Sequence, residues 1–464
     1  MTTIIKNGKV ATESGLIKND ICIENEIITD IADNINIPNA EIIDAQGNYV
    51  IPGGVDVHTH LNLHTGIAVA QDNFYTGTVA AACGGTTTIV DHIGFGPENC
   101  KLKHQIDVYH KYAAGNAVID YGFHGVLQHV DDDILKELED LVNSGIPSFK
   151  AYMTYDFKLN DLDILKVLIK LKETGGLLTV HPENDYVLNY FRKQFIKEDK
   201  RSPIYHAMSR PDFCEAEAIN RVICLAEMAG NVPLYIVHLS CKAGLDFVKL
   251  AQARKQNVIA ETCPQYLLLD EERYLESDNA GLKFILTPPL RNKSNQTLLW
   301  KAIKNKEISV VGTDHCPFDW DIRKKLASND FTKCPNGLPG IETRIPLMFS
   351  EGVMKKKISI ERFVEVNCTN PAKIMGLYPQ KGTISIGSDA DIVIINPDRK
   401  VVLSNNILHQ NVDYTPYEGM EVQGYPVLTM SRGDVIVKDN VFIGKKGRGR
   451  FIKRHVAQTR NCFC

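Results

Sequence analysis

Two histidines one residue apart, His58 and His60, close the run Gly53-Gly54-Val55-Asp56-Val57-His58-Thr59-His60. The run reads as a short strand after a turn, and on a strand residues i and i+2 face the same side. Two imidazoles held side by side can clamp one divalent metal ion. A lone His-x-His is a weak signal, but other strand-like runs also end on chemistry-bearing residues. Ser148-Phe149 leads to Lys150, Thr179-Val180 to His181, Ile236-Val237 to His238, and Gly312-Thr313 to Asp314.

Something must bring these ends together. Between about residues 51 and 375, short β-branched runs alternate with amphipathic segments such as Asp131–Asn143 and Ala216–Ala229. Eight strands are expected: Val55–Val57, Thr87–Val90, Val118–Phe123, Ser148–Lys150, Leu177–Val180, Leu234–Val237, Val258–Glu261 and Ser309–Gly312. This alternation suggests a (β/α)8 barrel, whose chemistry sits at the C-terminal ends of its strands. A doubly wound sheet is the alternative, weakened because no GxGxxG opens a helix. Gly84-Gly85 reads as a helix stop and turn.

Residues 1–50 and about 381–445 share a different texture of short apolar runs broken by Asn, Gly and Asp, as expected of hairpins. The two ends are therefore expected to pack together as one β-sandwich. In the expected organisation, residues 1–50 form one half of the sandwich and 376–445 the other. The catalytic barrel occupies 51–375, and a tail runs from 446 to 464. The basic run Lys445-Lys446-Gly447-Arg448-Gly449-Arg450 reads as a solvated or subunit-contacting arm.

Composition excludes several classes. Of 464 residues, 44% are hydrophobic and 23% charged, with a net charge of -4. That balance gives no electrostatic reason to expect nucleic acid or a membrane surface as partner. The twelve cysteines are scattered without a CxxC pair, which fits a reducing, cytoplasmic setting. No basic region followed by an apolar core opens the chain, and no run of about 18 apolar residues occurs, so neither a signal peptide nor a membrane span is expected.

Four histidines and an aspartate at one barrel mouth could serve one metal ion, or two if something bridged them. Lys150 as an ammonium has no lone pair. As a neutral amine it can add CO₂ to give a carbamate, whose two oxygens could each bind an ion. An ordinary lysine paired with a carboxylate is the competing reading.

The segments PGGVDVHTH, ACGGTTTIVDH, SFKAYMTY, TVHPEN, YIVHLS, ETCPQYL, FILTPPLR, GTDHCPF and CPNGLPGIE follow one another from residue 52 to 342. With them the chain resembles the hydantoinase and dihydropyrimidinase family of the amidohydrolase superfamily. FGPENC, VIDYGFHGVLQH, YEGM and the run 444–451 resemble the bacterial branch that opens D-phenylhydantoins. The resemblance implies two divalent ions per subunit, zinc first and manganese or cobalt as alternatives. It implies that His58, His60 and Asp314 hold one ion, that His181 and His238 hold the other, and that N6-carboxylated Lys150 bridges them. Asp314 would act as general base and then general acid. Tyr155 would donate to the developing oxyanion. Main-chain groups of Thr287 and Asn336 would hold the ring amide. The family usually has Ser where Thr287 stands. The implied substrates are 5-substituted aromatic hydantoins of D configuration, opened to N-carbamoyl amino acids. The implied assembly is a homotetramer.

Two other readings compete: a dihydropyrimidinase acting on dihydrouracil or dihydrothymine, and a non-catalytic scaffold that has lost the ligands. A one-metal deaminase would need neither Lys150 nor Tyr155. Related dihydroorotases carry Arg two residues after the second histidine. Asn62 stands there, which argues against an anionic ring. Leu61, Leu63, His64, Tyr152, Phe157 and Leu159 are candidates for an apolar substituent pocket. His315 is expected to point away from Asp314 and play a structural role. Glu183 and His206 are candidate orienting partners. His92, His104, His110, His124 and His129 are read as lying between or before strands, outside the site. Cys263 and Cys316 read as small apolar residues.

Overall fold

The computed structural model describes residues 2–456. Eight strands form one parallel sheet: β1 (Gly54–Thr59), β2 (Thr86–His92), β3 (Asp120–Val126), β4 (Ser148–Tyr152), β5 (Leu177–His181), β6 (Leu234–Ile236), β7 (Val258–Thr262) and β8 (Val310–Val311). Each pairs with the next in chain order. The sheet closes just beyond β8, where Thr59 bridges His315 in parallel and the His60 amide donates to the His315 carbonyl at 2.9 Å. The architecture is therefore the (β/α)8 barrel expected from the sequence, with each expected strand within a few residues of its place.

The first three strands are buried along their whole length because both faces are covered, helices outside and the packed barrel interior within. The helices are amphipathic and punctuated by their sequence. Helix Asp132–Ser144 starts where the Asp131 carboxylate accepts from the Ile134 amide at 2.8 Å. It stops at Gly145, whose φ of 98° suits only glycine comfortably. Its buried face is Ile134, Leu138, Leu141 and Val142, each worth about 1.5–3 kcal/mol of burial.

The chain's two ends build the remaining sheets. A four-stranded sheet comes from residues 2–44, and a seven-stranded sheet interleaves Lys9–Thr12, Gly15–Ile17 and Tyr49–Pro52 with Ile392–Val402, Glu421–Ser431, Asp434–Lys438 and Val441–Phe442. Tyr49–Pro52 lies antiparallel against Ile392–Ile395. Ile5, Ile21, Ile23 and Val50 from one end share an apolar core with Ile392, Ile394 and Met430 from the other.

The basic run departs from expectation. Lys445 and Lys446 are exposed, but the segment that follows is stitched beneath the barrel rather than solvated. The Tyr121 amide donates to the Arg450 carbonyl, and the Ile452 amide to the Tyr121 carbonyl. Arg450 pairs with Glu26 at 2.8 Å, and Arg454 is buried against the Phe123 and Met375 carbonyls and the Ser148 hydroxyl. The rest of the tail, 457–464, lies outside the described residues, as do Cys462 and Cys464. The ten described cysteines are free. Among the described residues no helix is long and apolar enough to cross a membrane.

Candidate metal and substrate site

At the C-terminal mouth of the barrel lies a cleft of about 370 Å³. His58, His60, Lys150, Tyr155, His181, His238, Thr287, Asp314 and Asn336 all line it. Residues spread over 279 positions of sequence thus meet because they lie in or after the C-terminal halves of different barrel strands, His58 with His60 and Lys150 with Tyr155 sharing one each.

The ligand-type groups form two sets. Asp314 Oδ1 lies 3.1 Å from the Nε2 of both His58 and His60. His181 Nδ1 and His238 Nε2 face each other at 2.8 Å. The sets adjoin, with the His58 and His238 rings stacked at 5.5 Å. Lys150 is 1% exposed, and among the described residues no carboxylate lies within 4 Å of its Nζ. The reading of Lys150 as an ordinary ion-paired lysine is thereby overturned. Burial pulls its pKa down to about 8, against the opposing pull of Asp314 and Glu261. Burial likewise holds His60 down to about 4. Burial also works against the charged form of His58, but Glu261 and Asp314 outweigh it and carry the pKa up to about 9.

Several residues orient the ligands. Glu261, at the end of β7, is fully buried; it accepts from His58 Nδ1 at 2.5 Å, the His238 amide at 3.0 Å and the Tyr235 hydroxyl at 2.8 Å. Glu183 meets His181 Nε2 at 2.8 Å and is neutralised by Arg210, also at 2.8 Å. Fixing the far ring nitrogen sets which nitrogen faces the site. Tyr155, His238 and Asp314 all adopt positive φ, at 75°, 39° and 52°. Such backbone costs about 1–3 kcal/mol per residue and survives only where surroundings hold it. For His238 the hold is visible in the bond from its amide to Glu261.

The donor chemistry fits metal. Four imidazoles and a carboxylate converge. Among the described residues the buried His58 Nε2, though 3.1 Å from Asp314, makes no protein hydrogen bond; buried polar atoms are normally satisfied, so it invites an ion.

Some expected neighbours are elsewhere. Leu63, Tyr152 and Phe157 line the cleft with Phe95 and Ile67, whereas Leu61, His64 and Leu159 do not. Asn62 uses its side chain to accept from the Phe74 amide, away from the cleft. His315 points to Asp72 at 3.0 Å and accepts from the Gly340 amide, a structural role as expected. Glu183 orients a ligand, while His206 lines the cleft and contacts the Leu286 carbonyl at 2.8 Å. Cys316 lines the cleft and Cys263 does not.

Two histidines require correction. His92 ends β2 and His124 lies within β3, both inside the barrel rather than between strands. His92 packs 4.5 Å from the His58 ring and 4.2 Å from that of His124, and its Nδ1 is unpartnered. Burial keeps both well below the usual histidine range, and so neutral. They make an uncharged floor under the ligand cluster. Sequence reading missed them, and missed Glu261, because barrel-interior polar residues have no periodic signature. The one available signal for His92 and Glu261 was their place at the C-terminal end of an apolar run.

Comparison with known proteins agrees with this geometry. The model of the amidohydrolase family matches residues 49–436. The chain is 54% identical over 456 residues to the D-phenylhydantoinase of Escherichia coli O7:K1, covering 98% of each. Among solved structures, the dihydropyrimidinase of Brevibacillus agri NCHU1002 superposes with a TM-score of 0.97 at 45% identity, covering 98% of this chain and 99% of that one. The D-hydantoinase of Bacillus sp. AR9 does so with a TM-score of 0.96 at 46% identity, with the same coverage. The L-hydantoinase of Arthrobacter aurescens is more distant, with a TM-score of 0.90 and 30% identity over 98% of this chain and 100% of that one.

Proposed function

We propose, for a chain that belongs to the amidohydrolase family, that it hydrolyses the cyclic amide of 5-substituted hydantoins, giving N-carbamoyl amino acids. The preferred substrates in this reading are D-configured with an aromatic substituent. The carrying observation is the convergence of six ligand-type residues in a chain 54% identical to a D-phenylhydantoinase.

In this reading His58, His60 and Asp314 hold one divalent ion and His181 and His238 a second, with Lys150, carboxylated by CO₂, shared between them. Zinc suits these ligands, as do manganese and cobalt. Ions held there would supply acidified water as the nucleophile and polarisation of the attacked carbonyl. The buried, unpaired Lys150 amine supports carbamate formation, since a neutral amine is the form that adds CO₂. The Asp314 carboxylate takes a proton from the attacking water and returns it to the ring nitrogen as the C–N bond breaks. The Tyr155 hydroxyl donates to the oxygen that gains charge. The main chain at Thr287 and Asn336 orients the ring amide. Leu63, Phe95, Tyr152 and Phe157 supply an apolar wall for an aromatic substituent.

The same proposal divides the chain into sandwich halves at 1–50 and 376–445, a catalytic barrel at 51–375 and a tail from 446. It places the enzyme in the cytoplasm as a homotetramer, with no nucleic-acid or membrane partner. Exposed Tyr186 and Tyr190 on one helix and exposed Phe213 on another support self-association.

A second reading, dihydropyrimidinase, is favoured by the likeness to the Brevibacillus agri enzyme. Metal content per subunit, measured with hydrolysis of D-5-phenylhydantoin and dihydrouracil on one preparation, decides. Two ions and preference for phenylhydantoin are expected. Preference for dihydrouracil selects the second reading, and a metal-free, inactive protein after zinc and bicarbonate supply overturns both.

A further inference from the structure

The cleft has two unlike walls. One is the apolar wall described above. The other is polar, where the helix Asp185–Lys197 and the turn at 331–336 contribute Arg192, Asn189 and Thr332. The ionic partners on this side are mostly committed. Lys158 pairs with Asp185 at 3.1 Å, and Arg210 with Glu183 at 2.8 Å. Asp330 accepts from Arg201 at 3.1 Å and from the Thr332 hydroxyl at 2.6 Å.

Arg192 is the exception. It is half-buried, and among the described residues no carboxylate lies within 4 Å of it. Its one protein hydrogen bond runs from Nη2 to the Thr332 carbonyl at 2.7 Å. A guanidinium carries five N–H donors, so most of its fork is free. Burial, reinforced by the charge of Arg210, disfavours its charged form, with Asp330 and the exposed Asp156 only partly offsetting this. A cation desolvated beside an active site with its donors unspent suits a planar anion, which it can take bidentately.

We propose that Arg192 is the receptor for a carboxylate carried on the 5-substituent of the substrate, so that the enzyme accepts hydantoins with an acidic side chain. This rests on the hydantoinase reading above and adds a substrate class to it. The anion is recognised from the helix Asp185–Lys197, not at position 62, where the Asn62 side chain accepts from the Phe74 amide. Ring opening also creates a carboxylate on the product, and the experiment separates the two sources.

The probes are D-5-carboxymethylhydantoin and D-5-(2-carboxyethyl)hydantoin, each beside its own primary amide, with phenylhydantoin as reference. At least one acid should show a KM tenfold or more below that of its amide. Arg192→Gln should erase that acid-over-amide ratio, acting on KM rather than kcat, as loss of uniform binding does. Arg192→Lys should restore part of it. The ratio is internal to each variant, so partial misfolding does not mimic the effect. Acids no better than amides in the wild type, or a preference that survives Arg192→Gln, overturns the proposal while leaving hydantoin hydrolysis intact. So does a variant altered only in inhibition by N-carbamoyl-D-phenylglycine, which would assign Arg192 to the product. Failure on every hydantoin, phenylhydantoin included, would instead remove the underlying reading.

Discussion

Two lysines in this protein, Lys150 and Lys381, are each 1% exposed and live opposite lives. Lys381, where the sandwich meets the barrel floor, is surrounded by Asp120 at 2.7 Å and by Asp389 and Asp391 at 2.9 Å each. Although burial works against its charge, those three carboxylates push its pKa above the ordinary lysine value. Lys150, at the barrel mouth, has no carboxylate within 4 Å among the described residues, and burial wins. Residue type and burial are the same, so the difference lies in the partners. The floor is electrostatically complete within the protein. The mouth is left incomplete, with unpartnered imidazole nitrogens and a free lysine, as a place that receives something from outside is built.

The largest test of this contrast is Lys150→Ala. It should lose most bound metal and the activity with it, and full metal occupancy in that variant would defeat the shared-carbamate assignment. Asp314→Asn should lower phenylhydantoin turnover by about 10⁴-fold, the upper range for a proton-transfer group. A near-normal kcat would strip Asp314 of its proton-shuttle role.

The floor should answer differently. Lys381→Met takes the ammonium from Asp389 and Asp391 and leaves Asp120 with Arg432 alone; it should cost about 3–5 kcal/mol of stability, read as a lowered urea midpoint, while metal content per folded subunit holds. Loss of metal without loss of stability would reverse the proposed division of labour. Tyr155→Phe should lower kcat by about 10²–10³-fold at unchanged metal content; an unaltered kcat removes Tyr155 from the oxyanion role.

The smallest effect is in acid. Burial alone would raise the Asp120 carboxyl, but Lys381 and Arg432 outweigh it and hold it below the usual carboxylate range. A folded pKa below the unfolded value of about 3.9 means stability that is complete above that value and drains as pH falls through the folded one. The gap in urea midpoint between wild type and Lys381→Met should therefore hold from pH 7 to about pH 4 and narrow below it. A constant gap would count against Asp120 as the coupled group.

The barrel was legible because its strands are short, mostly apolar or β-branched runs alternating with amphipathic segments, with a chemistry-bearing residue in or just after several of them. That is why His58, Lys150, His181, His238 and Asp314 could be assembled from sequence alone. The groups behind them were not legible. Glu261 serves His58 across 203 residues, and nothing local distinguishes it from any acid ending a strand. The basic run near the C-terminus looked solvated because its partners are remote, with Arg450 and Glu26 separated by 424 residues. Charge patterning along a chain reports only neighbours in sequence, and these contacts are made in space.

The interleaving of the two chain ends in one sheet has a consequence in time. Tyr49–Pro52 must wait for Ile392–Val402 to complete its hydrogen bonds, and that strand in turn is flanked by Glu421–Ser431. Roughly 380 residues separate Pro52 from the end of that last strand, and at synthesis rates of about 5–20 residues per second the delay is about 20–75 s. Throughout that interval the nascent N-terminal strands present an open edge of the kind that pairs with other chains. Yield in a cell is therefore expected to depend on how fast those intervening codons are translated and on what shields the N-terminal strands meanwhile.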